Sequence, residues 1–434
     1  MKNNNDYDLI VVGAGCAGPA AARKAAQLGL KTLLVEKARV PGEKNVSGTC
    51  LNAAALSDPQ LHYLLSGPVE REIRSMRTYH ITPERTTIFH EQPAAGILLL
   101  SVRRDHFDAW HTEQARLAGA EVRLSTSVVD IIAADGTVSG VVTDSGEHLR
   151  AKVVIDAAGV NSIVGRKAGL ITRRSGTNMI LYVTAAVHLG EEKVSSRFGD
   201  TIEYYLAPNC QHKTWPWIFP KREVVTLGTG GYLTEELIGE GLPSVNSYLQ
   251  NLMDLPVIRE RIEDGRIVSW GLHLEHDEPV EPRVASGLIL SGEAGGFVAP
   301  FLGEGMPEAF FTGIYAAETA AEAIAAGDVS RRALEAAYGE RIDGNLFMQA
   351  FMHVGAQNKA SILSLPDEEI SALIQNVILG GGFISNVIHN KWIRGAEEGD
   401  LDKVREARDF LELLLPYRQV AGDFERIYRE RKRK

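Results

Sequence analysis

DLIVVGAGCAG, residues 8–18, is the stretch on which the reading of this chain turns. Asp8 to Val12 is an apolar run closed by glycine, the pattern of a short buried parallel strand. Gly13-Ala14-Gly15-Cys16-Ala17-Gly18 follows and opens an Ala-rich helix over 19–28. Gly29 ends that helix, and Lys31 to Val35 reads as a second strand that stops at Glu36. Strand, glycine turn, helix, strand and acid in this order form a dinucleotide-binding fingerprint. Gly13 permits the tight turn, Gly15 lets the backbone approach a pyrophosphate, and Gly18 lets helix and strand pack closely. The helix N-terminus offers unpaired N–H groups and partial positive charge to the phosphates. Glu36 follows Gly15 by 21 residues, where an acid accepts the ribose hydroxyls. A glycine-rich turn used only for packing is the competing reading.

The 434 residues suffice for one large domain or two to three average ones, and 44% apolar with 24% charged residues is ordinary for a globular chain. Lys plus Arg is 46 against 56 Asp plus Glu, a net charge of -10, which argues against a nucleic-acid partner. Cys16, Cys50 and Cys210 lie far apart, without a CxxC pair, so a disulfide framework, a metal site or an iron–sulfur cluster is not expected. A reducing, cytoplasmic setting fits. The N-terminus runs straight into a strand without the features of a signal peptide. No apolar run approaches the roughly 18 to 20 residues needed to span a bilayer, which leaves a soluble or peripherally bound protein.

Three later stretches complete a pattern. Ser101-Val102-Arg103-Arg104 precedes a helix over 105–118 that carries Phe107, Asp108 and Trp110. Val153 to Gly159 (VVIDAAG) is a buried strand into a glycine turn. Leu288 to Ala294 (LILSGEA) is another, followed by Pro300, Gly303, Gly305 and a helix to Ala326. In order and spacing these resemble the FAD enzymes that include geranylgeranyl reductases, FixC-type flavoproteins, electron-transfer-flavoprotein:quinone oxidoreductases and aromatic hydroxylases. The resemblance covers about residues 6–330.

It implies an α/β fold: a Rossmann-like FAD-binding domain, three layers about a parallel sheet, with an inserted antiparallel-sheet substrate domain and a helical C-terminal region. The implied division gives 1–80, 101–175 and 281–338 to the FAD-binding domain, 81–100 and 176–280 to the substrate domain, and 339–434 to the helical region. The implied cofactor is FAD, held by Gly13, Gly15, Ala17, Gly18, Glu36, Lys37, Ser47, Gly48, Arg103, Val129, Gly159, Glu293, Pro300, Gly303, Gly305 and Met306. Arg103 would sit near the isoalloxazine or the pyrophosphate. Glu293 stands where the family has Asp, to hold the ribityl chain, and the glycines at 303 and 305 let the next helix aim its positive end at the flavin pyrimidine.

Ala158-Gly159 replaces the Asp-Gly usual in the hydroxylases, and the run from Gly42 to Leu51 is similar to the FixC and quinone-oxidoreductase pattern. No Cys follows Cys210, so this chain lacks the clustered cysteines of the latter's C-terminal domain. Cys50 reads as a packing residue. Lys213 to Lys221 (KTWPWIFPK) resembles the W-x-FPK segment of geranylgeranyl reductases. Alternation puts Trp215, Trp217 and Phe219 on one strand face, as substrate-binding residues or as a buried sheet face. Pro216 and Pro220 suggest an edge or irregular strand. Gly228-Thr229-Gly230-Gly231 leads into no suitable helix, so a second nucleotide site is not expected.

The function these features imply is an FAD-dependent oxidoreductase that reduces carbon–carbon double bonds of a lipophilic, isoprenoid-type substrate. Its electrons would come from an external donor: a ferredoxin-like protein, an electron-transfer flavoprotein or NAD(P)H. The alternative is FixC-like electron transfer between a protein carrier and a quinone, with a monooxygenase or a non-catalytic FAD-binding subunit as further readings. No catalytic proton donor is identified, since His188, His273 and His276 read as structural. In the last hundred residues Gly380-Gly381-Gly382 marks a turn and 400–415 has helical spacing. The basic end, Arg426 to Lys434, reads as a solvated tail, with peripheral contact to anionic lipid or an acidic carrier as the sharper alternative.

Overall fold

The computed structural model describes residues 6–81, 86–93, 96–171, 178–234, 243–276, 278–299, 303, 305–345, 347–348 and 424–433. The chain forms two compact units, one of residues 1–45, 104–179 and 274–348 and the other of 46–103, 180–273 and 349–434.

The first unit is built on a mixed sheet whose strands run in the order 284–285, 288–290, 148–156, 7–12, 32–35 and 121–123. Strand Tyr7–Val12 lies parallel to His148–Asp156 and to Thr32–Val35, so Val12 is level with Asp156 on one side and Val35 on the other. Leu288–Leu290 and Glu121–Arg123 extend the parallel set. Side chains alternate across the sheet. Ile10, Val12, Leu33 and Val154 share a core with Val138, Val141, Leu149 and Val164, contributed by the antiparallel strands Thr137–Thr143 and His148–Asp156 and the short helix Ile163–Lys167. Helices Ala17–Gln27, Arg104–Leu117 and Met306–Ala326 pack together as the helical layer.

Small residues bring two of those helices close. A Cβ at Gly313 would lie 2.3 Å from the Ala17 carbonyl oxygen. Ala17, Ala20 and Ala21 are buried on the facing side.

The second unit contains a seven-stranded sheet in the order 266–276, 179–188, 224–232, 217–220, 201–206, 75–81 and 86–93. Strand 224–232 pairs antiparallel with 179–188 and with 217–220, as do 217–220 with 201–206 and 75–81 with 86–93, whereas Thr201–Leu206 lies parallel to Ser75–Ile81. Helices Val245–Asp254 and Pro256–Ile262 cover one face through Leu252, Ile258 and Ile262, which join Ile218, Val225 and Leu227 in the core. A three-stranded sheet, 50–52, 99–101 and 71–73, completes the unit. Gly228 to Gly231 is the interior of strand Val224–Tyr232.

The basic end is a packed helix over 424–432 instead of a solvated tail. Phe424 and Tyr428 are fully buried, and Arg429 holds Glu72 through two hydrogen bonds of 2.7 and 2.6 Å. Arg426, Arg431, Lys432 and Arg433 remain exposed. The expected turn at 380–382 and the helix at 400–415 lie outside the described residues.

Candidate functional site

In the first unit the C-terminal ends of three adjacent parallel strands, Tyr7–Val12, His148–Asp156 and Leu288–Leu290, bring their glycine turns together. Gly13 has φ +102°, and a Cβ there would lie 2.5 Å from the Ala157 carbonyl oxygen. A Cβ at Gly18 would meet the Gly13 oxygen at 1.8 Å. Gly15 differs: its Cβ position is open, with only an Arg104 Nη2 at 3.9 Å. The turn is thus closed by two glycines that permit packing, while the middle one leaves bare backbone facing free space at the start of helix Ala17–Gln27.

Arg104 is the guanidinium beside that space. Its Nε and Nη2 donate to Asp108 at 2.8 to 3.0 Å, an i,i+4 pair with Asp108 fully buried. Burial opposes the Arg104 charge, but Asp108, joined by Cys16 and Glu293, outweighs it and raises the Arg104 pKa. The sequence points to Arg103, which falls in the second unit; its neighbour at the first position of helix Arg104–Leu117 stands by Gly15. Helical spacing to Asp108 is the signal that selects Arg104. Cys16, next in the turn, is buried, and its thiol is pushed up to about 12, chiefly by desolvation, so it is no nucleophile. His111, in the same helix, is fully buried among Phe107 and Phe310, and desolvation followed by Arg23 and Arg104 lowers its pKa to about 3.

Glu36 closes the other side of the turn. One carboxylate oxygen accepts the Ala14 N–H at 2.7 Å and the other the Ala38 N–H at 2.8 Å. Thr126 and Ser125 donate their amides to the Glu36 and Ala38 carbonyls, which ties residues 123–126 to the exposed Lys37 rim; Val129 follows, 43% exposed. Gly159 has φ +64°, and a Cβ there would lie 3.4 Å from Glu293 Oε2. Glu293 Oε1 accepts the His276 N–H at 3.2 Å. Gly292, one residue earlier, sits 3.0 Å (as a Cβ) from the Ala17 methyl, so the late turn abuts the first helix. Gly303 has φ +65°, Gly305 caps helix Met306–Ala326, and Met306 is its first residue. Pro300 lies outside the described residues.

Asp156, which the sequence reading left without a role, ends the central strand. Its buried carboxylate accepts the Ser162 hydroxyl and the Gly165 and Ala158 amides at 2.8 to 3.0 Å. Burial, partly offset by those donors, raises its pKa. It fixes the turn that presents Gly159.

The second unit holds Ser47, Gly48 and the aromatic residues. Strand Trp217–Pro220 alternates: Ile218 is fully buried in the core, while Trp217 and Phe219 are half-buried on the opposite face. Trp215 is not on this strand. It precedes it, 8% exposed, and packs edge-on to Tyr204. Tyr204 also meets Phe219 edge-on at 5.7 Å, and Tyr182 meets Trp217 at 5.4 Å. The five rings form a wall. The strand is interior to the sheet, between 201–206 and 224–232, not at an edge. Its prolines are accommodated because Pro216 precedes the strand, its oxygen accepting the Tyr205 N–H, and Pro220 is the last residue.

Glycine makes room for the wall. A Cβ at Gly228 would lie 2.0 Å from Trp217 and one at Gly230 2.5 Å from Tyr182, so each ring lies across bare strand. Gly48 approaches from the other side, with a Cβ position 2.6 Å from Trp217 Nε1 and 2.9 Å from Phe219. The sequence reading missed Lys221, the residue after this strand. It is fully buried and donates to the Gly48 and Thr49 carbonyls and to the Ser101 hydroxyl.

A family model described as FAD dependent oxidoreductase matches residues 8–217. The FixC protein of Salmonella typhi is 30% identical over 343 residues, 76% of this chain and 79% of that protein. The chain belongs to the FAD-dependent oxidoreductases of the FixC group. A second member of the group, the probable electron transfer flavoprotein-quinone oxidoreductase YgcN of Escherichia coli K12, is 30% identical over 303 residues, 67% of this chain and 70% of that one. A geranylgeranyl bacteriochlorophyll reductase-like protein of Thermoplasma acidophilum shares the fold, with a TM-score of 0.74 and 23% identity over 97% of this chain and 99% of that one.

FAD is the cofactor of this family, and the first unit suits it: the bare backbone at Gly15 and the adjacent guanidinium and helix N-terminus are the chemistry a pyrophosphate requires. Among the described residues no group of three or more His, Cys, Asp or Glu side chains is placed to hold a metal, and no helix is long and apolar enough to cross a membrane.

Proposed function

We propose that this FAD-dependent oxidoreductase passes electrons from an external protein donor to a lipophilic acceptor of the quinone type, which the half-buried aromatic wall binds. Gly13, Gly15, Ala17, Gly18 and Arg104 hold the pyrophosphate; Glu36, Lys37 and Val129 the adenosine end; Gly159 and Glu293 the ribityl chain; Gly303, Gly305 and Met306 the pyrimidine. Bound FAD supplies reversible two-electron redox chemistry.

The wall carries the reading. Trp217 and Phe219 face away from the core that takes Ile218, and Trp215, Tyr204 and Tyr182 extend the same aromatic surface. A flat hydrophobic ring binds such rings by stacking or edge-on contact. The curated relatives, FixC proteins and probable electron transfer flavoprotein-quinone oxidoreductases, support a quinone over an alkene. An external electron donor fits the wide spacing of Cys16, Cys50 and Cys210 in this sequence. The exposed cations of the C-terminal helix, Arg426, Arg431, Lys432 and Arg433, suit an acidic carrier.

Reduction of an isoprenoid double bond is the second reading, favoured by the W-x-FPK segment itself. It demands a placed proton donor. His188 and His273 are exposed at strand ends and edges, and His276 gives its amide to Glu293.

Anaerobic photoreduced protein mixed with decylubiquinone or with a geranylgeranyl substrate separates the two. Rapid reoxidation by the quinone is expected. Inertness to quinone together with saturation of the alkene overturns the first reading in favour of the second.

A further inference from the structure

Lys221 is a fully buried amine whose three partners are all uncharged. Its Nζ donates to Gly48 O at 2.5 Å, Thr49 O at 2.8 Å and Ser101 Oγ at 2.9 Å. An ammonium has three N–H donors and no acceptor, so three acceptors satisfy it completely. A neutral amine would turn a lone pair toward one of them. Ser101 cannot swing away without loss, because its hydroxyl donates to Pro220 O at 2.9 Å. Arg71 fixes the same stretch by donating to Lys221 O at 2.9 Å.

The loop that the amine grips is pressed from its other side by the rings. Gly48 abuts Trp217 Nε1 and Phe219, Thr49 has φ +27°, and the Ser47 and Thr49 hydroxyls bond to each other. The strand Trp217–Pro220 supplies those rings, and Lys221 follows it directly. The chain therefore closes a loop on itself: rings on one side of Gly48, ammonium on the other.

We propose that Lys221 is a positioning residue that sets the Ser47–Thr49 loop against Trp217 and Phe219 and so fixes the shape of the acceptor surface. This rests on the reading that the aromatic wall binds the lipophilic acceptor. Desolvation lowers the amine to about 8, against the favourable charges of Cys50 and Glu70 and with the opposing Arg103. The Arg71 guanidinium reaches the Lys221 backbone carbonyl. The grip therefore weakens as pH rises through about 8.

The test uses the FAD-loaded full chain with Lys221→Met and Ser101→Ala. FAD content per chain, tryptophan emission, and reoxidation by decylubiquinone and by ferricyanide are measured from pH 6.5 to 10. Lys221→Met is expected to keep its FAD and its ferricyanide rate while kcat/KM for the quinone falls roughly 10²-fold, the scale of a slightly misplaced binding surface. The wild type is expected to lose quinone turnover and shift its tryptophan emission as pH rises through about 8, and Lys221→Met to show neither. Quinone kinetics within twofold of wild type, or equal losses with both acceptors, overturn the proposal. If Lys221→Met does not fold, Ser101→Ala decides: a smaller quinone loss with the alkaline limb moved to lower pH supports it, and an unmoved limb overturns it. If even the wild type ignores quinone, the acceptor reading fails by itself. The emission shift then judges Lys221 alone, and identical shifts in wild type and variant overturn it.

Discussion

Around Gly15 the first unit presents bare backbone: glycines, amide groups and one guanidinium pinned by Asp108. Around Trp217 the second unit presents side chains, five aromatic rings of which Trp217 and Tyr182 lie over glycines, with a buried lysine next to the strand. Glycine serves both regions, but in opposite senses. In the first, Gly15 leaves space that nothing of the protein fills, whereas in the second Gly228 and Gly230 leave space that Trp217 and Tyr182 do fill. On the proposed reading, a ligand with a fixed, charged shape is matched by backbone that cannot rearrange, and a greasy acceptor by packed rings. The same contrast extends to buried charge. Asp156 is held in the first unit by two amides and a hydroxyl. Glu203 in the second is held by side chains, with Arg261 donating at 2.9 and 3.0 Å and Tyr205 at 2.6 Å.

Substitutions can break this contrast at defined points. The largest effect is expected for Gly18→Ala, because its Cβ meets a main-chain oxygen at 1.8 Å that no side-chain rotation relieves. Its loss of stability should exceed about 4 kcal/mol, read as failure to give a cooperative urea transition. Next comes Arg261→Met, which takes the bidentate partner from the fully buried Glu203 carboxylate and leaves it Arg77 at 3.6 Å and the Tyr205 and Tyr79 hydroxyls. The cost should be about 3–5 kcal/mol, seen as a lower urea midpoint at unchanged slope. Gly228→Ala drives a methyl into Trp217 at 2.0 Å, but a side chain can yield where backbone cannot. A loss of about 1–3 kcal/mol is expected, with a shift in tryptophan emission. A silent emission spectrum would mean the ring does not lie across the strand. Smallest in stability is Gly15→Val, whose added carbons enter open space: the apo-protein should change by less than about 0.5 kcal/mol yet purify colourless. Yellow Gly15→Val protein would remove the distinction between the two regions at its root.

How much of this was legible in the sequence follows from how local each signal is. The first strand and the glycine turn were readable because their geometry is set within some 30 residues of chain, and the observed strands Tyr7–Val12 and Thr32–Val35 lie where the pattern put them. Helix Met306–Ala326 ends at the residue expected, and Gly327 caps it with φ +69°. Arg104 had no role in the reading of the sequence, which named its neighbour Arg103; Arg104 opens the helix, and its i,i+4 relation to Asp108 is the local signal that distinguishes it. Trp215 was assigned to a strand by alternation, which cannot see that the ladder begins only at Trp217. Lys221 entered the sequence reading only as the last letter of the W-x-FPK segment. Its burial depends on Gly48 and Ser101, more than a hundred residues away, and no local pattern carries that information. The packed C-terminal helix is the same case, its Arg429 finding Glu72 across most of the chain.

The partners of the opening strand have a temporal consequence. Tyr7 pairs with Ala151, so one flank of Tyr7–Val12 lies open until some 144 further residues have left the ribosome. At ordinary elongation speeds that delay is on the order of ten seconds. During synthesis the nascent dinucleotide sheet thus exposes an apolar edge long before it can close, and chaperone demand should concentrate on that interval.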